Sequence, residues 1–145
     1  TLVAYARPIS VVGNDVHVAG VEYTGNIGVA KYWRNGAAFT LTDGTRNAYA
    51  YSLVVSGSDV YVSGWENNGT NTVAKYWKNG TAVSVTDGKR NAYVYSLAVS
   101  GSSVFMAGSE SNGTNAVAKY WKDGLAVSLT DGARNAVATG MVVVP

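Results

Sequence analysis

The side chains that most often do chemistry are scarce in this sequence. His17 is the only histidine, and the chain has no cysteine. The sequence therefore offers neither a Cys–His dyad nor a thiolate or multi-imidazole metal cluster. A Ser–His–Asp triad would have to use His17, which occupies the position of Tyr61 and Phe105 in an internal repeat, as is typical of a core aromatic site. We expect no enzymatic activity, no cofactor and no metal.

Acidic and basic residues recur in a turn motif, Thr-Asp-Gly-x-Arg-Asn. The structural interpretation is that Asp caps the turn, Gly adopts a positive φ, and Arg reaches a carboxylate or carbonyl of the next unit. The alternative is a set of acidic and Arg contacts for a ligand, or an acidic pair for hydrolysis. A calcium loop needs several carboxylates at alternate positions, and each turn offers one. The candidate residues are Asp43, Asp87, Asp131, Arg46, Arg90 and Arg134.

Three glutamates and one tryptophan complete the candidate ligand-binding residues. Glu22, Glu66 and Glu110 begin equivalent loops, and a lysine lies across each hairpin, so cross-strand ion pairs are the simplest interpretation. In a carbohydrate-binding protein, the same glutamates with adjacent Asn residues would form three equivalent pockets. Trp65 has no aromatic equivalent in the other copies of the repeat, and a lone tryptophan at a loop edge could stack on a ligand.

The recurring aspartates, arginines and glutamates are 44 residues apart, because the whole sequence is built from repeats of that length. Ala30-Lys31-Tyr32-Trp33 returns at 74–77 and again at 118–121. The copies span 4–47, 48–91 and 92–135, and 136–145 repeats the first strand once more. A period in this range is typical of architectures in which each unit buries its apolar face against its neighbours. We therefore expect the recurring tryptophans of the three copies to pack between units.

Each copy predicts four short strands joined by tight turns. In the middle copy, the runs 48–56, 60–66, 72–78 and 81–86 are rich in β-branched and aromatic residues. Asn79-Gly80 predicts a type I′ hairpin, and the absence of a 3.6-residue period argues against helix. Apolar residues on both faces of the strands favour sheets stacked face to face. A four-stranded unit of this length matches one blade of a β-propeller.

The middle copy carries the runs G-x-D-V-Y-V-x-G-x-E and A-K-Y-W-K-N-G, the run x-V-x-L-T-D-G occurs at 126–132, and N-A-Y occurs at 47–49 and 91–93. This repeat resembles tandem repeats of secreted bacterial β-propeller proteins, many of them uncharacterised, over nearly the whole chain. The resemblance implies an all-β propeller fold of four-stranded antiparallel blades. It implies no activity, because propellers host many unrelated functions.

Three blades and one extra inner strand cannot close a ring, since propellers have about 4–8 blades. We expect the open faces to be covered by self-association, with a six-bladed dimer favoured and a nine-bladed trimer or a fibre as alternatives. The extra copy at 136–145 either replaces residues 4–13 in a neighbouring subunit or begins a further blade of a longer array. A β-trefoil or β-prism remains the alternative fold, because three repeats of four strands also fit those closed monomers.

The composition limits the classes of partner that we expect this protein to bind. The net charge of +2 is too small and too evenly spread for nucleic acid, and no apolar run could span a bilayer. Low charge with abundant Gly, Asn, Thr, Ser and Tyr favours a secreted or cell-surface protein. The sequence predicts a non-enzymatic binding or structural module that self-associates, with a lectin-like domain as the alternative. We expect any ligand at the face that carries the longer loops, 66–71 and 87–91.

Overall fold

The computed structural model describes residues 3–144, and this part of the chain is all-β with no helix. Three four-stranded antiparallel sheets follow one another, and each is a simple meander of four consecutive strands. We refer to them as blades 1, 2 and 3. Their strands are β1 (Ala4–Val12), β2 (Asp15–Thr24), β3 (Ile27–Arg34), β4 (Ala37–Thr40), β5 (Ala48–Ser56), β6 (Asp59–Asn67), β7 (Thr72–Lys78), β8 (Thr81–Ser84), β9 (Ala92–Ser100), β10 (Ser103–Ser111), β11 (Ala116–Lys122) and β12 (Leu125–Ser128).

The blades stack face to face in a partial propeller-like arrangement, with one apolar core in each seam between neighbours. In the first seam, Trp77 and Val62 of blade 2 pack with Ala19 and Ala30 of blade 1. In the second seam, Trp121 of blade 3 takes the same place against blade 2. Trp77 and Trp121 are fully buried, which confirms their predicted packing role. No extensive contact joins blades 1 and 3 among the described residues, so the stack is open, unlike a trefoil or prism.

A glycine in the second strand of each blade allows the innermost strand to bulge. In blade 2, the register shifts between Ala50 and Ser52, which leaves Tyr51 as an extra residue. A Cβ on Gly64 would lie only 1.8 Å from the Tyr49 carbonyl oxygen. Gly20 and Gly108 face the equivalent carbonyls in blades 1 and 3. The periodic glycine is therefore required by the close approach of two backbones.

The turns follow their sequence signals closely. Asn79 and Gly80 have φ angles of 49° and 84°, as the predicted type I′ hairpin requires. The fourth strand of blade 2 ends at Ser84, two residues earlier than predicted. The reason is that the Thr86 hydroxyl accepts the Ala74 amide at 3.2 Å, so a side chain replaces the next backbone pairing and frees the chain to turn.

Residues 136–144 lie beside blade 3, where the sequence predicts the inner strand of a further blade. They belong to none of the three ladders. The Ala136 amide donates to the Ala116 carbonyl at 2.8 Å, and the Ala138 amide donates to the Gly108 carbonyl at 3.1 Å. The segment is thus held along one side only. Pro145, the last residue of the predicted extra copy 136–145, lies outside the described residues.

Replacing Gly64 with alanine tests the close approach at the bulge. We expect Gly64→Ala to lower the free energy of unfolding by about 3 kcal/mol, because the new methyl group meets a backbone carbonyl that cannot move without disrupting the bulge. The adjacent Ser63→Ala is the control. Its buried hydroxyl has no partner among the described residues, and Ala19 and Ala107 occupy the equivalent positions. Ser63→Ala should change stability by no more than about 1 kcal/mol. Urea unfolding compares the two variants, and equal stabilities would contradict this account.

Candidate functional site

The longer loops meet at one face of the stack, as their positions in the meander predict. The connection from β4 to β5 lies against the β6–β7 loop, and the connection from β8 to β9 lies against the β10–β11 loop. A polar pocket opens at each of these two seams, with volumes of about 350 and 380 Å³. We call them the first and second seam pockets. Their main polar side chains are Asp43, Arg46, Glu66, Asn68 and Lys75 in the first, and Asp87, Arg90, Glu110, Asn112 and Lys119 in the second.

Each pocket has a half-buried Glu–Lys ion pair at its wall. Glu66 and Lys75 are 2.5 Å apart, and Glu110 and Lys119 are 2.6 Å apart. The pairs form because Lys75 lies opposite Gly64, two residues before Glu66 on the neighbouring strand, so both side chains share one face of the sheet. The predicted cross-strand pairing is confirmed, and the same pair occurs at 3.2 Å between Glu22 and Lys31.

The aspartates of the pockets are exposed and hold their turns. The backbone amide and hydroxyl of Thr45 donate to Asp43 and lower the pKa of its carboxyl group. The backbone amide of Lys89, followed by its ammonium group, lowers the pKa of Asp87 in the same way. Both groups are therefore carboxylates at neutral pH, with one side engaged in the turn.

Each pocket also contains an arginine that reaches across to the next blade. The Arg46 guanidinium lies beside Gly69, and the Arg90 guanidinium lies beside Gly113, so that a Cβ at either glycine would be within 3 Å of a guanidinium nitrogen. Both guanidiniums thus reach the next unit, but the carboxylate partner that the turn motif led us to expect is not found within residues 3–144. Neither Arg46 nor Arg90 takes part in any of the ion pairs found within residues 3–144. Each pocket thus combines guanidinium donors with carboxylate acceptors, a set that suits a polyhydroxylated or zwitterionic ligand.

The remaining predicted residues are divided between the two ends of the stack. Glu22 belongs to blade 1, the first described blade, so no Asp–Arg turn lies beside it within residues 3–144. Asp131 and Arg134 follow blade 3, the last described blade, so no glutamate of a further blade lies beside them in this range. Asp43 and Asp87 line different seam pockets.

Trp65 lies outside both pockets, in a band of aromatic rings that crosses the seams. Its ring stacks on Tyr49 with centroids 4.6 Å apart and meets the edge of Tyr93 at 5.8 Å. Tyr49 in turn meets Tyr23 of blade 1 at 6.1 Å. The half-buried Trp65 therefore packs between rings of blades 2 and 3, and its role as a ligand platform stays a prediction.

Sequence reasoning missed two groups of residues, one that fixes the connections between blades and one that lines a separate cavity. Asn47 and Asn91 each accept a backbone amide from the third strand of the preceding blade, at 2.8 Å from Gly28 and Thr72, and so fix the inter-blade connections. The sequence did contain a signal for this role, because an Asn occupies the last position of the turn motif in every copy. The second group lines an apolar cavity of about 370 Å³ at the opposite face, formed mainly by Phe39, Leu41, Val60, Val62 and Trp77.

His17 is buried as predicted, and its Nδ1 lies 2.7 Å from the Tyr32 hydroxyl. In the described range, no group of three or more His, Cys, Asp and Glu side chains could hold a metal ion. The described residues also contain no helix long and apolar enough to cross a membrane.

Comparisons with family models, with curated proteins and with solved structures found no match to this chain. The resemblance of the repeat to secreted bacterial propeller repeats therefore stays a prediction. Function has to be inferred from the geometry of the blades and their seams.

The aromatic band predicts a loss of stability at alkaline pH. Burial, and then the hydrogen bond shared with Tyr23, raise the pKa of Tyr49 to about 12. Between about pH 10 and pH 12 the unfolded chain loses this proton while the folded chain keeps it, so the free energy of unfolding falls as pH rises. Urea unfolding at pH 9, 10 and 11 measures the fall. Tyr49→Phe should show a smaller fall, and an identical pH dependence in both proteins would contradict the assignment.

Proposed function

We propose that this chain is a non-enzymatic binding or structural module that self-associates head-to-tail and thereby completes a propeller. The observation that carries this proposal is that the two ends of the stack are the two halves of one interface, which the chain itself already forms twice. At one end lies the first open face, formed by Ala4, Ala6, Ile9, Val16, Val18 and Trp33. At the other end lies the last open face, where Tyr120 and Leu129 are accessible and Ala107 and Ala118 are already buried in the single chain.

The first open face repeats the surface that blades 2 and 3 bury. Leu53 and Leu97 are 8% and 4% exposed inside the seams, whereas their equivalent Ile9 is 68% exposed. Trp33 is half-buried, whereas its equivalent Trp77 is fully buried. The residues are apolar although no blade within residues 3–144 covers them, as expected for a face that binds a partner.

The last open face repeats the opposite surface of the same interface. Leu129 is 55% exposed, whereas its equivalent Leu41 is only 9% exposed in the first seam. Leu41 packs with Leu53 and Trp77 of blade 2. These two residues are the repeat equivalents of Ile9 and Trp33, just as Leu41 is the equivalent of Leu129. The last open face of one copy is therefore complementary to the first open face of another. A second copy of the chain is therefore the occupant that fits both faces.

The arrangement favours a closed ring. A contact between unlike faces leaves two free faces in every open assembly, and only closure buries all of them. Two copies would join six blades, which is within the usual range of about 4–8, whereas three copies would join nine. The dimer is therefore the favoured assembly, with a trimer or a fibre as alternatives. The composition supports a secreted or cell-surface location for it.

Light scattering coupled to size exclusion tests the assembly. We expect a discrete particle of twice the chain mass of 15.1 kDa at micromolar concentration. Leu129→Asp should dissociate it, because the new carboxylate would be buried in the interface. Leu125→Asp is the matched control, since Leu125 is exposed on β12 at a position whose equivalents, Ala37 and Thr81, are also exposed within the stack.

A monomer across the whole concentration range would overturn the proposal. A dimer that Leu129→Asp leaves intact would show that the copies meet through another surface. A trimer, or a mass that rises steadily with concentration, would support head-to-tail association with nine blades or with an open fibre.

The seam pockets support a second candidate function, a lectin-like module that binds carbohydrate. Two pockets of equivalent composition and similar volume occur in one chain, and each offers guanidinium donors and carboxylate acceptors suited to sugar hydroxyl groups. In the head-to-tail assembly, Asp131 and Arg134 of one copy would approach Glu22 and Lys31 of the next. A further pocket of the same kind would then form at each junction.

A glycan array followed by calorimetry tests this second function. We expect weak binding at equivalent sites and a loss of about tenfold or more in affinity for the double variant Arg46→Ala and Arg90→Ala, because charge-assisted hydrogen bonds to the ligand are lost. Arg34→Ala is the control, since Arg34 pairs with Asp15 at the opposite face. No bound glycan, or equal affinities in the two proteins, would reject the pockets as the site.

A further inference from the structure

Residues 136–144, which we call the tail, occupy a place that the repeat assigns to an inner strand. The Met141 amide donates to the Ser96 hydroxyl at 3.1 Å. One repeat earlier, the Leu97 amide of β9 donates to the Ser52 hydroxyl at the same distance. The tail therefore lies against blade 3 as β9 lies against blade 2.

The side chains of the tail also match that place. Ala136, Ala138 and Met141 stand at the repeat positions of Ala92, Val94 and Leu97, which are buried in the second seam. Within residues 3–144, no other strand of a fourth blade pairs with the tail, and Val137, Val142 and Val144 are exposed. In this structure the tail therefore stands in the place of an inner strand without a sheet beside it.

Head-to-tail association creates a conflict at this place. A second copy that docks its blade 1 on blade 3 brings its own β1 to the site where the tail lies, because β1 and the tail are equivalent copies of the same strand. One site beside blade 3 holds one inner strand. Either the tail or the β1 of the second copy must give way.

The contacts of the two strands indicate that the tail gives way. β1 pairs with β2 at seven positions, and its Arg7 guanidinium lies 4.7 Å from the centre of the Tyr51 ring of blade 2. The tail is held by three hydrogen bonds from its amides and forms no ladder. Removing the tail therefore breaks far fewer contacts than removing β1.

β1 can also reproduce the bonds that the tail would lose. The donors of the tail are the amides of Ala136, Ala138 and Met141, and the equivalent donors of β1 are those of Ala4, Ala6 and Ile9. Pro8 has no amide hydrogen, but its equivalent in the tail, Gly140, is not among the three donors. The exchange therefore conserves these hydrogen bonds.

We propose that the site beside Ser96, Gly108 and Ala116 of blade 3 binds β1 of a second copy, and that the tail fills this site in the single chain as an internal competitor. This proposal rests on the proposed head-to-tail association and specifies the strand that carries it. The tail shields the alanines of the last open face, so a chain without a partner exposes less apolar surface. The same contact weakens assembly, because it must be broken before β1 binds.

Two equivalent substitutions in the full chain separate this proposal from its opposite, in which the tail inserts into the partner. Met141→Asp weakens the hold of the tail on its own blade, and we expect it to lower the dissociation constant of the assembly by about fivefold or more. Ile9→Asp places a carboxylate on β1, and we expect it to raise the dissociation constant by about tenfold or more. Ile9 is largely exposed in the single chain, so its variant should fold. Val142→Asp, at an exposed tail position, is the control that should change little.

Sedimentation velocity over a concentration series measures the dissociation constants, and circular dichroism confirms that each variant is folded. If Met141→Asp weakens assembly while Ile9→Asp leaves it unchanged, the tail is the exchanged strand; the competitor proposal then falls and self-association stands. If no protein assembles, including Met141→Asp, both the competitor proposal and the proposed function fall. Assembly that neither substitution changes would also reject the site beside blade 3.

Discussion

Packing of the tryptophan-bearing face of one blade on the alanine-bearing face of the blade before it is the interaction on which this structure depends. Small residues such as Ala19, Ala30 and Ala74 let the sheets approach closely, and Trp77 and Trp121 fill the space between them. Burial of these faces removes apolar surface from water, which stabilises the stack. Within residues 3–144, only blade 2 has a neighbouring blade on both sides.

The polar features follow from the same stacking. The bulge at Gly64 and the connection held by Asn91 set the path of the chain from one blade to the next. That path places the Asp–Arg turn of one repeat beside the Glu–Lys pair of the following repeat, and a seam pocket is the result. Structural and ligand-binding interpretations of the turn motif are thus compatible, since Asp87 holds its turn with one side and Arg90 is in none of the ion pairs found within residues 3–144.

The two proposed functions, self-association and carbohydrate binding, would be linked through the seams. Each new junction between copies would bury the apolar faces and would also bring together the two halves of a seam pocket that the single chain keeps apart. In the proposed assembly, the tail would compete with the inner strand of a partner at one of these junctions. The free energy of assembly would then depend on the cost of breaking the three hydrogen bonds that hold the tail.

The sequence by itself determined the strands, the turns and the repeat. The run 48–56 and the Asn79-Gly80 turn were predictable because backbone preference and side-chain alternation are properties of neighbouring residues. Only the tertiary structure decided that Asp43 and Glu66 line one pocket, that Trp65 lies between Tyr49 and Tyr93, and that the tail docks through Met141 on Ser96. These contacts join different repeats, and they depend on how one sheet is placed on the next. No local pattern encodes that placement, because it follows from the packing of two whole faces.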